Sequence, residues 1–161
     1  MAATSTNKQP LLVDHVLHEV VDLAGATVAN GGGVNIGGTN DAALVIDSTQ
    51  ADGCVIESVY AISRSTAYTI KLYLSRANDY LRAQQAVYIG QFKSTSTTPG
   101  TVVEWAEMPK ILAPVPAEGG EAQLRALYIP KGKALWAAVE ATSANDLAGD
   151  APLLGVQGGW Y

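Results

Sequence analysis

The stretch LRALYIPKGKALWAAVEA, residues 124–141, decides the fold class. Leu127 and Ile129 alternate with Tyr128 before the turn residues Pro130-Lys131-Gly132-Lys133. Leu135, Ala137 and Val139 follow, with Trp136 on the other face. A side-chain period of two is that of a half-buried strand. Two such runs around a short Pro/Gly turn are the sequence form of a β-hairpin. The reading is a hairpin in which Leu127, Ile129, Leu135, Ala137 and Val139 form an inward row. Tyr128 and Trp136 then face either the opposite sheet or a subunit boundary.

The same period recurs outward from this stretch. CVIESVYAISR, residues 54–64, alternates throughout, placing Cys54, Ile56, Ser58, Tyr60 and Ile62 on one face. AYTIKLYLS, residues 67–75, sets Ile70, Leu72 and Leu74 inward and Thr69, Lys71, Tyr73 and Ser75 outward. These neighbouring runs read as a long antiparallel pair. Strands are also expected over 43–49, 86–92, 101–108 and 152–161. LLVDHVLHEVVDL, residues 11–23, fits a helical stripe as well, but its valines and the following Gly25 favour a strand. RANDYLRAQQ, residues 76–85, is the one helix candidate, with Asn78 or Asp79 as its N-cap. The glycines at 31–33 and 37–38 lack the phosphate-cradle spacing and the following helix, so they read as a loop between strands. Residues 109–120 are interrupted by three prolines, too many for a central strand.

Eight or nine short strands punctuated by turns, with at most one short helix, predict an all-β antiparallel sandwich of jelly-roll-like form. Residues 1–10 read as a flexible or extended N-terminal arm ending at Pro10, and residues 11–161 as a single domain.

The chain has 161 residues and a formal charge of −5. Only 16% of residues are charged although 48% are hydrophobic. A low-charge surface of Ser, Thr, Asn, Gln and Gly suits a protein that covers part of itself with a partner. The ten basic residues are scattered, with no stripe to follow phosphates, so nucleic acid is not an expected partner. No stretch has the length and apolarity of a membrane helix, and the first ten residues have no signal-peptide core. The single cysteine, Cys54, has no partner for an internal disulfide and reads as a small buried hydrophobe, which suits a reducing compartment during folding.

No catalytic constellation emerges. His15 and His18 would pair on a helix but point to opposite faces of a strand, and no zinc-type third ligand stands near them. There is no Gly-x-Ser-x-Gly elbow for a serine nucleophile. Glu104 with Glu107, and Glu118 with Glu121, are spaced to opposite sides of a strand and read as surface acids. Asp41, Asp47, Asp52, Asn145, Asp146 and Asp150 lack the interleaved spacing of a calcium loop and read as turn residues. The expectation is therefore no enzyme, no cofactor and no resident metal.

The aromatics carry more. Trp105, Trp136, Trp160, Tyr161 and most tyrosines fall in strand-like runs, where core packing is their ordinary role. Their functional roles would be to anchor a protein interface or to stack sugars on an exposed platform. The candidate interface set is Trp136, Tyr128, Trp160 and Tyr161, together with Lys8, Gln9 and Pro10 of the arm.

Tyr-Ile-Pro-Lys-Gly at 128–132, Leu-Trp-Ala-Ala-Val at 135–139 and the closing Gly-Gly-Trp-Tyr at 158–161 resemble a pattern of tailed-bacteriophage head decoration (cement) proteins. The resemblance covers about the last forty residues, and the Gly-rich segment at 25–40 has no place in it. It implies a jelly-roll-like sandwich, commonly a homotrimer, that binds the outside of an assembled head and stabilises contacts between major capsid protein subunits. It further implies a protein made in the host cytoplasm and located on the virion surface. It brings no catalytic residues. The second reading is a carbohydrate-binding sandwich of a virion spike or fibre.

Overall fold

The structure, a computed structural model, describes residues 15–28, 42–48, 52–75, 86–94, 98–108, 126–140 and 150–161. Ten strands run in chain order: β1 (His15–Asp22), β2 (Thr27–Val28), β3 (Ala43–Asp47), β4 (Gly53–Ile62) and β5 (Thr69–Ser75). β6 (Val87–Lys93), β7 (Val102–Glu104), β8 (Leu127–Pro130), β9 (Ala134–Glu140) and β10 (Leu153–Trp160) follow. No helix occurs among the described residues. The helix candidate at 76–85, the arm with Lys8, Gln9 and Pro10, the glycines at 31–38 and the connection at 109–120 lie outside them.

Two five-stranded sheets form. Sheet I has the order β1-β10-β4, with β7 and β8 sharing the far edge of β4. β8 takes the first half of β4, Gly53–Ile56, and β7 takes its end, Tyr60–Ile62. Sheet II has β9 between β5 and the short strands β2 and β3, with β6 beyond β5. All pairs are antiparallel except β2 with β9. The pairs nest: β1 with β10, β3 with β9, β4 with β8 and β5 with β6. A chain folded back on itself and then rolled into two sheets gives that nesting, which is the jelly-roll arrangement. The all-β antiparallel sandwich read from the sequence is the fold observed.

The inward row of the opening stretch is present. Ile129, Leu135, Ala137 and Val139 are fully buried and Leu127 nearly so, all in the main core with Leu17, Ile56, Val59, Ile70, Leu72, Leu154 and Val156. Burying each Leu, Ile or Val side chain contributes roughly 1.5–3 kcal/mol, so this row anchors the space between the sheets.

Two pairings and the phase of one strand differ from the sequence reading. The 127–139 stretch is a corner between sheets, not a hairpin: β8 pairs with β4 in sheet I, and β9 pairs with β3 and β5 in sheet II. The tight turn itself exists, with Lys133 N donating to Pro130 O at 3.1 Å and Gly132 at φ 76°. A residue with a Cβ would be strained in that left-handed conformation. Ser48, at the end of β3, holds the corner. Its amide donates to Lys133 O, its carbonyl accepts from Gly132 N, and its Oγ lies 2.9 and 2.8 Å from Pro130 O and Lys133 O. Alternation reports which face a residue occupies and not which strand pairs with it. For the same reason β4 and β5 are not a pair; they belong to different sheets, and residues 63–68 cross between them.

The third difference is a change of phase within β4. Cys54 and Ile56 point inward, but further on Val59, Ala61 and Ser63 are the buried residues, not Ser58, Tyr60 and Ile62. Opposite β10, Gln157 pairs with Ser58 and Gly158 with Ile56, leaving Glu57 as an extra residue. This is a β-bulge, which shifts the two-residue period by one. Gly158 makes it possible: a Cβ there would lie 1.9 Å from the Val55 carbonyl oxygen.

Sheet II is also covered on its other face. Lys71, Tyr73 and Ser75, expected outward to solvent, are 8%, 1% and 2% exposed. Tyr73 joins Ala86, Ala134, Trp136 and Ala138 in a second apolar cluster, and Lys71 Nζ lies 3.4 Å from Glu140 Oε1. Pairing offsets the desolvation of a charge at such a site.

Candidate functional site

The four described candidates divide. Trp136 is only 6% exposed, and its Nε1 donates to Ser75 Oγ at 3.0 Å. Trp160, opposite Cys54 at the end of β10, is half-buried against the main core. Tyr128 and Tyr161 come together, with ring centroids 6.1 Å apart. The Tyr161 amide donates to Gly53 O, which ties the chain end to the start of β4. Burial pushes the Tyr161 hydroxyl pKa up, and Tyr128, Cys54 and Glu57 add to the shift. Tyr128 is 46% exposed and is the candidate with the most open surface.

Tyr128 belongs to a larger surface, the outer face of sheet I. Register places its residues in rows across the sheet: Val16, Gly159, Val55 and Tyr128; His18, Gln157 and Ser58; Val20, Gly155, Tyr60 and Glu104. A further row is Asp22, Leu153, Ile62 and Val102. Four of the six exposed large hydrophobics among the described residues are here: Val16 at 85%, Val102 at 59%, Val20 at 48% and Tyr128. Single exposed hydrophobics are ordinary, but three valines and a tyrosine on one sheet face, with half-buried Val55, Tyr60, Ile62 and Leu153 between them, form an apolar strip. Tyr60 crosses the strip over Gly155, where a Cβ would meet its ring at 2.1 Å. His18 Nε2 and the Tyr60 hydroxyl are hydrogen-bonded at 2.8 Å, which fixes the ring across the sheet.

The β4 bulge adds polar groups at the β7 end. It turns both Glu57 and Ser58 away from the core, and Ser58 Oγ donates to Glu104 Oε1 at 2.8 Å. With Val59, Trp105, Ala106 and Met108 these residues line a recess of about 310 Å³. Trp105 is 4% exposed and stacks on Phe92 at 6.1 Å, and its Nε1 is buried without an acceptor. A buried N–H left unsatisfied costs about 1–3 kcal/mol.

Among the described residues the other sequence candidates are not assembled into chemistry; Asp41, Glu118, Glu121, Asn145 and Asp146 lie outside them. His15 and His18 are both exposed, His18 toward Tyr60 and Gln157. No group of three or more His, Cys, Asp or Glu side chains converges on a metal-sized site among the described residues. Cys54 is fully buried, and desolvation pushes its thiol to a pKa of about 12, so it holds no thiolate at neutral pH. Asp52 pairs with Lys131 at 2.7 Å, and this hydrogen bond and charge hold its carboxyl below the usual range.

No family model, no curated protein and no solved structure matches this chain. Sequence reasoning did not single out Val16, Val20, Val102, Glu57 or Ser58. The signal for the last two was the Gly158-Gly159 pair in a strand, which marks a bulge or close backbone approach in the partner.

Proposed function

We propose that the chain is a structural virion protein that binds the outside of an assembled phage head and stabilises contacts between major capsid protein subunits, itself assembling as a homotrimer. The observation that carries this reading is the apolar strip on the outer face of sheet I, with Val16, Val20, Val102 and Tyr128 open to solvent. An exposed apolar face that also carries a few polar groups suits protein contact. The nested jelly roll agrees with the resemblance of the last forty residues. The sugar-binding reading has less support, because Trp105 and Trp136 are buried and Trp160 is half-buried, leaving no open indole platform. Two measurements test the proposal. Light scattering on the purified chain is expected to give three chain masses; a single chain mass at micromolar concentration would contradict the trimer. Co-sedimentation with assembled heads is expected to saturate at a fixed ratio to the capsid subunit. A chain left wholly in the supernatant would contradict head binding.

A further inference from the structure

We infer that the outer face of sheet I receives a protein segment that is apolar along its length and carries a basic side chain, which enters the recess beside β7. This deepens the proposed function and rests on it for the identity of the partner, but not for the chemistry of the site. The partner's character follows from charge complementarity. Among the described residues, no cation is paired with Glu57 or Glu104 at the recess, while Asp22, the other acid on this face, is paired with Arg64 at 3.2 Å. The ion pairs among the described residues are Arg64 with Asp22, Lys71 with Glu140 and Lys131 with Asp52; none involves the recess. Two unpaired carboxylates beside an apolar strip favour an incoming cation and disfavour another acidic surface. A second copy of this chain, itself at −5, fits less well on that ground.

The shape agrees. Val59, Ala106 and Met108 give the recess an apolar wall for an aliphatic stem, and the carboxylates supply acceptors for its head group. A guanidinium offers carboxylate oxygens a planar fork of donors, so arginine suits the site better than lysine. Ser58 holds Glu104 in place before any ligand arrives, which lowers the ordering cost of binding.

The test uses the whole chain and an acetylated, amidated Val-Arg-Val tripeptide, with citrulline and norleucine versions as controls. Nuclear magnetic resonance titration is expected to shift Glu57, Ser58 and Glu104 with the arginine peptide. The citrulline version is expected to bind roughly fivefold more weakly, the scale of one exposed ion pair of about 1 kcal/mol. E57Q/E104Q is expected to bring the arginine peptide down to the citrulline affinity, and added salt to do part of the same. Equal binding of the arginine and citrulline peptides to the unaltered chain would overturn the inference, as would shifts confined to other faces. Loss of oligomeric mass in Val102→Glu would assign the face to self-association and also overturn it. Selective arginine binding by a chain that ignores phage heads would leave the site standing and remove the virion reading.

Discussion

Gly158→Ala tests the feature that creates the recess. The new Cβ would sit 1.9 Å from Val55 O and 2.9 Å from both Ile56 Cα and Val55 C. All three are backbone atoms of β4, so no side chain can swing aside. An ordinary contact needs more than 3 Å, so β4 and β10 must part locally by over 1 Å. Overpacking of this kind costs about 1–3 kcal/mol. Weakening one or two ladder hydrogen bonds adds about 1 kcal/mol each. The loss of glycine's freedom in the unfolded chain returns about 0.4–1 kcal/mol. The net expectation is a loss of roughly 2–4 kcal/mol, or about 5–15 °C in Tm for a domain of this size. Urea unfolding with an unchanged slope would measure it. Gly155→Ala is the control, because the atoms nearest its Cβ belong to the Tyr60 side chain, which can move toward solvent at the smaller cost of its hydrogen bond to His18. A Gly158→Ala midpoint equal to the wild type would refute the bulge, and with it the change of phase in β4.

Other consequences are open to measurement. Ser48→Ala leaves the Pro130 and Lys133 carbonyls without their shared hydroxyl and is expected to cost about 1–2 kcal/mol, read as a shift of the urea midpoint. An unchanged midpoint would show that the backbone bonds alone hold the corner. Stability is also expected to fall at alkaline pH. Burial raises the Cys54 thiol from 9.0 to about 12 and the Tyr73 hydroxyl from 10.0 to about 12, the latter with help from Tyr88 and Glu140. Both groups are neutral in both states below pH 9, so their contribution is intact there. Above it the unfolded chain ionises first, and stability drains between about pH 9 and 12. Cys54→Ala is expected to flatten the onset near pH 9; an identical pH profile in that variant would contradict the buried thiol.

How much was legible in the sequence depended on whether a residue's neighbours mattered. The faces of Leu127, Ile129, Leu135, Ala137 and Val139 were readable because period two is a local property. The partners of those strands were not, because β8 and β9 part at Lys131-Gly132, and the ties that hold the corner come from Ser48, about eighty residues away. In β4 the pattern alternated cleanly, yet Ser58 and Tyr60 face outward, because the phase depends on Gly158 in a strand a hundred residues later. The second apolar cluster was hidden for a related reason: Tyr73 and Lys71 are polar enough to read as an outer face. The interface candidates were chosen for aromatic size, which favoured Trp136. The open strip is made largely of valines, whose exposure only the sheet order reveals.

On the proposed function, the outer face of sheet I binds an assembled head. The most direct measurement strips the chain from particles purified from the gene's source and adds back either the unaltered chain or Val20→Glu/Val102→Glu, counting bound copies by quantitative mass spectrometry. Both substitutions lie on exposed positions, so the fold is expected to survive them, which circular dichroism checks. The unaltered chain is expected to rebind at a fixed ratio to the capsid subunit and the folded double variant to stay in solution. Absence of the chain from native particles, or full rebinding by the double variant, would contradict it.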